Sequence, residues 1–311
     1  MNKNKVQIII GCSNGKTVEK QKNGNGKFTF PKCVSTFELD NEVYSMLTVD
    51  SSKVLLGMDK EVKTLEIGTK NITPLFAEHT GRVNSMLKLK SGQIATASQD
   101  KSIKVWNLSE PQSKMTLTGH TSMIWSMIEL EDGKILSGAD DRKAIVWNLQ
   151  EQKEEFTLYE GKNEISSVLQ VKSGKVLTGS GEPLLRIWNL DSKSQEGDIE
   201  AKSGVWFMTE LSDGTVAAGM GNGDIQIYDI EKKKIVNTLK GHKKTINCMV
   251  EIEPGRIVSG SDEEDMILWN LNDISAKYIL KGHKGPITAI VRLNEGRFLS
   301  ASKDKTIKLW E

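Results

Sequence analysis

Two stretches of the chain carry histidine, serine and aspartate at matching offsets: His79, Ser98 and Asp100, then His283, Ser302 and Asp304. Taken alone, these residue types suit nucleophilic acyl transfer, with serine attacking, histidine as base and aspartate orienting it. Two further stretches carry eroded versions. One has His120 and Asp141 with Ala139 in the serine position; the other has His242 and Ser261 with Glu263 in the aspartate position. A catalytic triad is needed once. A set that recurs and decays along the chain points to a structural role repeated unit by unit.

Other candidate chemistry fails on spacing. Ile8–Thr17 (IIIGCSNGKT) resembles a strand running into a phosphate loop, but only three residues separate Gly11 from Gly15. A phosphate loop needs four, followed by a helix; the glycine-broken VEKQKNGNGKF that follows is a poor helix former. Cys12, Cys33 and Cys248 lie far apart, with no CxxC pair and no Cys/His cluster, so no metal site is expected. Cys248 falls in a repeat position held elsewhere by Ser45, Ser85, Ser126, Ser167, Phe207 and Ala289, which reads as a small core slot. No catalytic residue and no cofactor is assigned.

The elements that must hold the recurring set show themselves through tryptophan. Trp106, Trp147 and Trp188 are 41 residues apart, Tyr228 follows after 40, and Trp269 and Trp310 after 41 each. Counting back 39 from Trp106 lands on Ile67 in a weaker first unit. His79, His120, His242 and His283 each precede their tryptophan by 27 residues. Within a unit, three alternating apolar segments are separated by Gly-, Asn- and Asp-bearing turns, as in Ile287–Leu293, Arg297–Ala301 and the segment ending at Trp310. Period-2 alternation between such turns predicts antiparallel strands. A poorer fourth strand, such as Met115–Leu117 or Ile235–Leu239, lies between units. Four strands per roughly 40 residues is the arithmetic of a propeller blade.

On these residues the sequence resembles the WD-repeat family, whose units run from Gly-His to Trp-Asp. Gly119–His120, Gly241–His242 and Gly282–His283 match, and Glu78–His79 keeps the histidine. At the other end Trp106, Trp147, Trp188 and Trp269 are followed by Asn, while Tyr228–Asp229 keeps the aspartate. The resemblance covers about residues 32 to 311 and implies an all-β, seven-bladed propeller of four-stranded antiparallel blades. The inner strands are expected at 42–67, 83–106, 124–147, 165–188, 205–228, 246–269 and 287–310. Residues 34–39 (VSTFEL) are expected to complete the last blade and close the ring. Residues 1–31, rich in Asn, Lys and Gly, are expected to form a flexible tail or a surface strand. The resemblance also implies a buried tetrad in which His reaches the turn Asp, Ser links to the His, and the Trp N–H donates to the Ser. Its members here would be His79, Ser98, Asp100 and Trp106; His120, Asp141 and Trp147; His242, Ser261 and Trp269; and His283, Ser302, Asp304 and Trp310.

By the same resemblance, partners sit on the face that carries the start of each innermost strand. The positions that map there include Tyr44, Arg82, Asn84, Met123, Trp125, Glu164, Trp206 and Asn247, with Gln99, Asp262 and Lys303 among the turn positions. Tyr44, Trp125 and Trp206 share one slot that is polar in the other four blades. They either anchor a partner, as interface aromatics do, or tuck against neighbouring blades. With six arginines in the chain, of which only Arg82 maps to this face, reading of phosphopeptides is disfavoured.

Composition narrows the function classes. The net charge is +1, from 42 basic and 41 acidic residues, which gives no electrostatic drive toward nucleic acid or anionic membrane. No apolar run is long enough to cross a bilayer, and the run that follows the basic opening, Val6–Ile10, is too short for a secretory signal. Sparse, unpaired cysteines suit a reducing compartment, so a cytoplasmic protein is expected, with nuclear or cytoskeletal association open. The expected function is a non-catalytic protein-interaction scaffold within a multiprotein assembly. The alternatives are a substrate receptor of a ubiquitin ligase and an enzyme working at the propeller mouth.

Overall fold

Strand-forming alternation, repeated seven times, folds into seven sheets arranged around a central axis. The computed structural model describes residues 7–11, 30–273, 277–294 and 296–311. Blades one to six comprise residues 45–76, 83–118, 124–160, 165–200, 205–239 and 246–281, and each is an antiparallel run of four consecutive strands. The first strand of each blade lies innermost and packs against the first strands of its two neighbours, the last of them against blade one.

Blade seven is assembled from both ends of the ring. Its three inner strands lie within 287–310, and its outer strand is Cys33–Glu38, antiparallel to Thr306–Trp310 with Cys33 opposite Trp310 and Glu38 opposite Thr306. The closing strand thus starts one residue before the expected 34–39. Phe37 anchors it, buried among Leu299, Ala301, Ile307 and Leu309. Blade one also differs by register: the slot that holds Trp106 in blade two is filled by Leu65, not Ile67. The 41-residue beat therefore continues unbroken into blade one.

Residues Gln7–Gly11 form a strand parallel to the outer strand of blade six, pairing Gln7 with Lys277 and Gly11 with Lys281. This gives blade six five strands where the others have four. The rest of the expected tail, residues 1–6 and 12–29, lies outside the described residues, as does most of the phosphate-loop look-alike.

Blades approach one another through a small-residue slot on their second strand, occupied by Gly57, Ala97, Gly138, Gly179, Gly219, Gly260 and Ala301. A Cβ on Gly179 would sit 2.7 Å from Val205 Cγ1 and 2.8 Å from its carbonyl, so the innermost strand of the next blade presses directly on the backbone there. Hydrogen bonds then lace blade to blade. On the face where the inner strands start, Ser45 donates to the Val83 carbonyl at 2.8 Å and Asn84 to that of Ile124 at 2.9 Å. Ser166 donates to Val205 at 2.6 Å, Asn247 to Ile287 at 3.0 Å and Thr288 to Val43 at 2.6 Å. On the opposite face, side chains of the next blade accept from backbone N–H groups: Glu129 from Lys90, Gln170 from Glu131, Glu210 from Lys172 and Glu251 from Ser212. Each such bond adds roughly 1 kcal/mol and fixes the register between blades.

Candidate functional site

The recurring set builds four buried tetrads, in blades two, three, six and seven. In blade three, Trp147 Nε1–H donates to Ser137 Oγ at 2.8 Å, Ser137 lies 2.7 Å from His120 Nε2, and His120 Nδ1 lies 2.8 Å from Asp141. One direction of donation satisfies every member with a neutral histidine: Trp N–H to Ser, Ser O–H to Nε2, and Nδ1–H to the carboxylate. Blade seven repeats it through Trp310, Ser300, His283 and Asp304, at 2.9, 2.7 and 2.9 Å. Blade two uses Trp106, Thr96, His79 and Asp100, and blade six Trp269, Ser259, His242 and Glu263.

This geometry corrects the hydroxyl assignment made from sequence. Ser98, Ser261 and Ser302 are not the link between histidine and tryptophan; the residue two positions earlier is. Ser98 instead donates to the Gly81 carbonyl at 3.0 Å and accepts from the Asp100 N–H, and Ser302 does the same with Gly285 and Asp304. Ser261 lies against His242 Nδ1 and Glu263, on the carboxylate side of the ring. The cause is depth: the histidine points into the blade, so Nε2 meets the strand a full pleat below the turn. Ala139 in blade three therefore removes nothing from the tetrad, since Ser137 supplies the hydroxyl. The signal was present as a hydroxyl ten residues before each tryptophan at Thr96, Ser137, Thr178, Ser259 and Ser300.

The turn carboxylate also shapes its own loop. Asp100 accepts from the N–H groups of Thr80 and Ser102, which ties the start of the blade to the turn. The following residue adopts a left-handed backbone, with φ of 73° at Lys101, 71° at Arg142 and 61° at Lys305. Such a conformation costs an ordinary residue about 1–2 kcal/mol and persists where side-chain bonds to the backbone over-determine the turn.

Blades four and five replace the tetrad. In blade four Trp188 still donates to Thr178, but Arg186 pairs with Glu182 and stacks 4.9 Å from the Tyr159 ring. In blade five Tyr228 donates to Gln226 at 2.9 Å within the core.

None of the four tetrads offers a nucleophile to a substrate. Thr96, Ser137, Ser259 and Ser300 are wholly buried, and the histidines are buried too. Burial pushes the Asp100 carboxyl up, but bonds from His79, Ser102 and the Thr80 N–H outweigh it and hold it well below the usual carboxylate range. Asp304 is held down in the same way. Cys248 is buried and its thiol pushed up, so it is no reactive cysteine. Among the described residues no cluster of three or more His, Cys, Asp or Glu is arranged to hold a metal.

Blade six carries a pH dependence. Burial lowers the His242 pKa below its ordinary 6.5 against the opposing pull of Glu263. The unfolded chain therefore binds a proton below about pH 6.5 that the folded blade refuses, so stability present above that pH declines as the pH falls. The tetrad carboxylates, held low in the fold, add a second loss only below about pH 4. Amide exchange corrected for intrinsic rates should show strands Ile246–Glu253 and Arg256–Ser261 loosening between pH 7 and 5.5. Unchanged protection there would contradict this.

The exposed chemistry lies at the mouth of the propeller. A cavity of about 630 Å³ opens on the face where the inner strands start. Tyr44, Arg82, Asn84, Met123, Trp125, Trp206 and Asn247 line it, together with Gln99, Asp262 and Lys303. Glu164 is not part of the lining; its carboxylate sits over Gly181 at the rim. The Arg82 guanidinium lies 4.6 Å over the Tyr44 ring, and Tyr44 donates to Glu42 at 3.0 Å. Burial, then the Glu42 carboxylate, raises the Tyr44 pKa. The three aromatics differ in fate: Trp125 is 38 % exposed, while Tyr44 and Trp206 are half-buried.

The blades with tetrads are the ones that a family model recognises. The model described as "WD domain, G-beta repeat" matches residues 70–107, 111–148, 233–270 and 275–311, which correspond to blades two, three, six and seven. No curated protein sequence matches the chain. Among solved structures, the chain is similar to "Crystal structure of WD40 beta propeller domain of Doa1", with a TM-score of 0.82 and 21% identity. That alignment covers 91% of this chain and 98% of the other; at this identity it speaks for the fold. Four matched repeats, the ring they belong to and the closure of its last blade make one conclusion: this chain belongs to the WD-repeat family of β-propellers.

Proposed function

We propose that the protein is a non-catalytic scaffold that captures a protein or peptide at the propeller mouth, as one subunit of a larger assembly. WD-repeat propellers are in general platforms for protein interaction. One observation carries the reading to this face. In four blades the slot beside the first inner-strand residue holds Asn84, Ser166, Asn247 or Thr288, each donating across to the next blade. In blades three and five that slot holds Trp125 and Trp206, and among the described residues no side chain donates to the Ile165 or Ile246 carbonyl in their place. Two lacing bonds are forgone, and Trp125 is left 38 % exposed and Trp206 half-buried at the mouth, an arrangement that suits binding better than stability. The near-neutral charge accords with a protein partner rather than nucleic acid. A cytoplasmic setting is part of the same proposal.

The Trp125→Ala/Trp206→Ala double variant tests it. Affinity capture from cells of origin should yield a stoichiometric partner with the parent protein and lose it with the variant, while the melting temperature stays within about 5 °C. Retained capture, or a collapse of melting temperature showing the tryptophans to be core, would remove the main support.

A further inference from the structure

We infer that the segment captured at the mouth is acidic: a partner carboxylate sits against Arg82 and Lys303, with an adjacent apolar side chain resting on Trp125. The inference rests on the mouth being the capture site and adds the chemistry of what is captured.

Among the described residues, the Arg82 guanidinium and the Lys303 ammonium make no hydrogen bond or ion pair, and the indole N–H groups of Trp125 and Trp206 have no acceptor. Arg82 is also held in place. Its carbonyl accepts from Gln99 N–H at 2.8 Å, its backbone bridges to Asp59, and its guanidinium is stacked on Tyr44. A guanidinium fixed by stacking, with its donors unspent, loses little freedom on meeting a carboxylate. The acid on the lining, Asp262, already accepts from Asn247 at 3.0 Å. The acids near Arg82 do not pair with it: Glu42 accepts from Tyr44, and Asp59 lies off the lining. The lining is thus rich in donors and carries net positive charge, which calls for an acceptor-rich ligand.

Blade order sets the layout. Lys303 of blade seven, Tyr44 of blade one and Arg82 of blade two form a cationic arc. Met123 and Trp125 of blade three follow directly. An acidic residue within a few positions of a Leu, Ile or aromatic residue spans both. One guanidinium and one ammonium suit a singly charged carboxylate, that of Asp or Glu, whereas phosphate favours clustered arginines.

The test is a selection of random 12-residue peptides displayed on phage against the immobilised full-length protein, followed by affinities of the winning peptides made synthetically. Selected peptides should pair Asp or Glu with a neighbouring apolar residue. Arg82→Gln should weaken them at least about tenfold, and Lys303→Met by about 2- to 10-fold, with a flatter salt dependence in both. Lys303 is exposed, so its replacement leaves folding intact and keeps the test decisive if Arg82→Gln misfolds. Basic peptides, or acidic ones indifferent to both substitutions, would overturn the inference, as would a phosphoserine peptide binding more than about tenfold tighter than its glutamate form. Neutral peptides that still depend on Trp125 would sink this inference alone and leave the scaffold standing. No mouth-binding peptide at all would sink both.

Discussion

Phe37→Asp should open the ring. Phe37 is buried in the closing strand against Leu299, Ile307 and Leu309, and truncating such a phenylalanine costs about 3–5 kcal/mol. A carboxylate in the same place adds a further cost, because its apolar neighbours cannot solvate it and only Lys70, whose Nζ lies 5.9 Å over the present ring, can offset part of that cost. The total exceeds about 5 kcal/mol, comparable with the whole stability of many domains. Urea unfolding should lose most of its native baseline. Gel filtration should show association through the uncovered edge of Thr306–Trp310. Phe37→Leu, which keeps the apolar contact, should cost only about 1–2 kcal/mol. If Phe37→Asp unfolded at the urea midpoint of the parent protein, the closing strand would be ornamental and the ring held by blades one to six alone.

Ser300→Ala should cost about 2–6 kcal/mol, although it removes a single oxygen. That oxygen receives Trp310 Nε1–H at 2.9 Å and lies 2.7 Å from His283 Nε2. Its loss leaves two buried polar groups without a partner, at about 1–3 kcal/mol each. Ser300 is completely buried, so water cannot take its place without a cavity to hold it. Ser137→Ala should behave alike in blade three, whereas Ala139→Ser beside it should not stabilise the tetrad, which is already complete. Chemical denaturation of the three variants separates the two readings of which hydroxyl matters. Near-equal stability of Ser300→Ala and the parent protein would contradict the geometry.

That pair of residues marks the boundary of what was legible in the sequence. The 41-residue beat gave the ring, the blade count and the closure because each rests on spacing, and spacing survives in one dimension. It failed to separate Ser98 from Thr96, or Ser302 from Ser300. Two residues apart on a strand, both lie on the same face, and only the depth reached by the histidine ring chooses between them. The lacing between blades was hidden for a related reason: Asn84 and Ile124 are partners across a gap that no local pattern records. The slot held by Gly138 and Gly179 becomes meaningful only once the next blade's Ile165 or Val205 is seen pressing on it. The mouth residues were legible by position. Arg82 stacked on Tyr44 with its donors unspent was not, since stacking depends on a loop that two different turns pin. Gln7–Gly11 was legible as a surface strand within the tail, but its parallel seat on blade six was not.

The closing strand has a consequence for biosynthesis. Thr36 and its partner Lys308 are 272 residues apart, so a strand made early waits for its mate until every other blade has been synthesised. Throughout that interval Phe37 has no cavity to enter, and the growing chain offers successive unpaired edges. Contacts this distant in sequence form slowly, and waiting strands invite wrong pairings. A protein clasped in this way depends on whatever shelters nascent chains in its cell. Its yield should respond to the speed of translation before its thermodynamic stability ever matters.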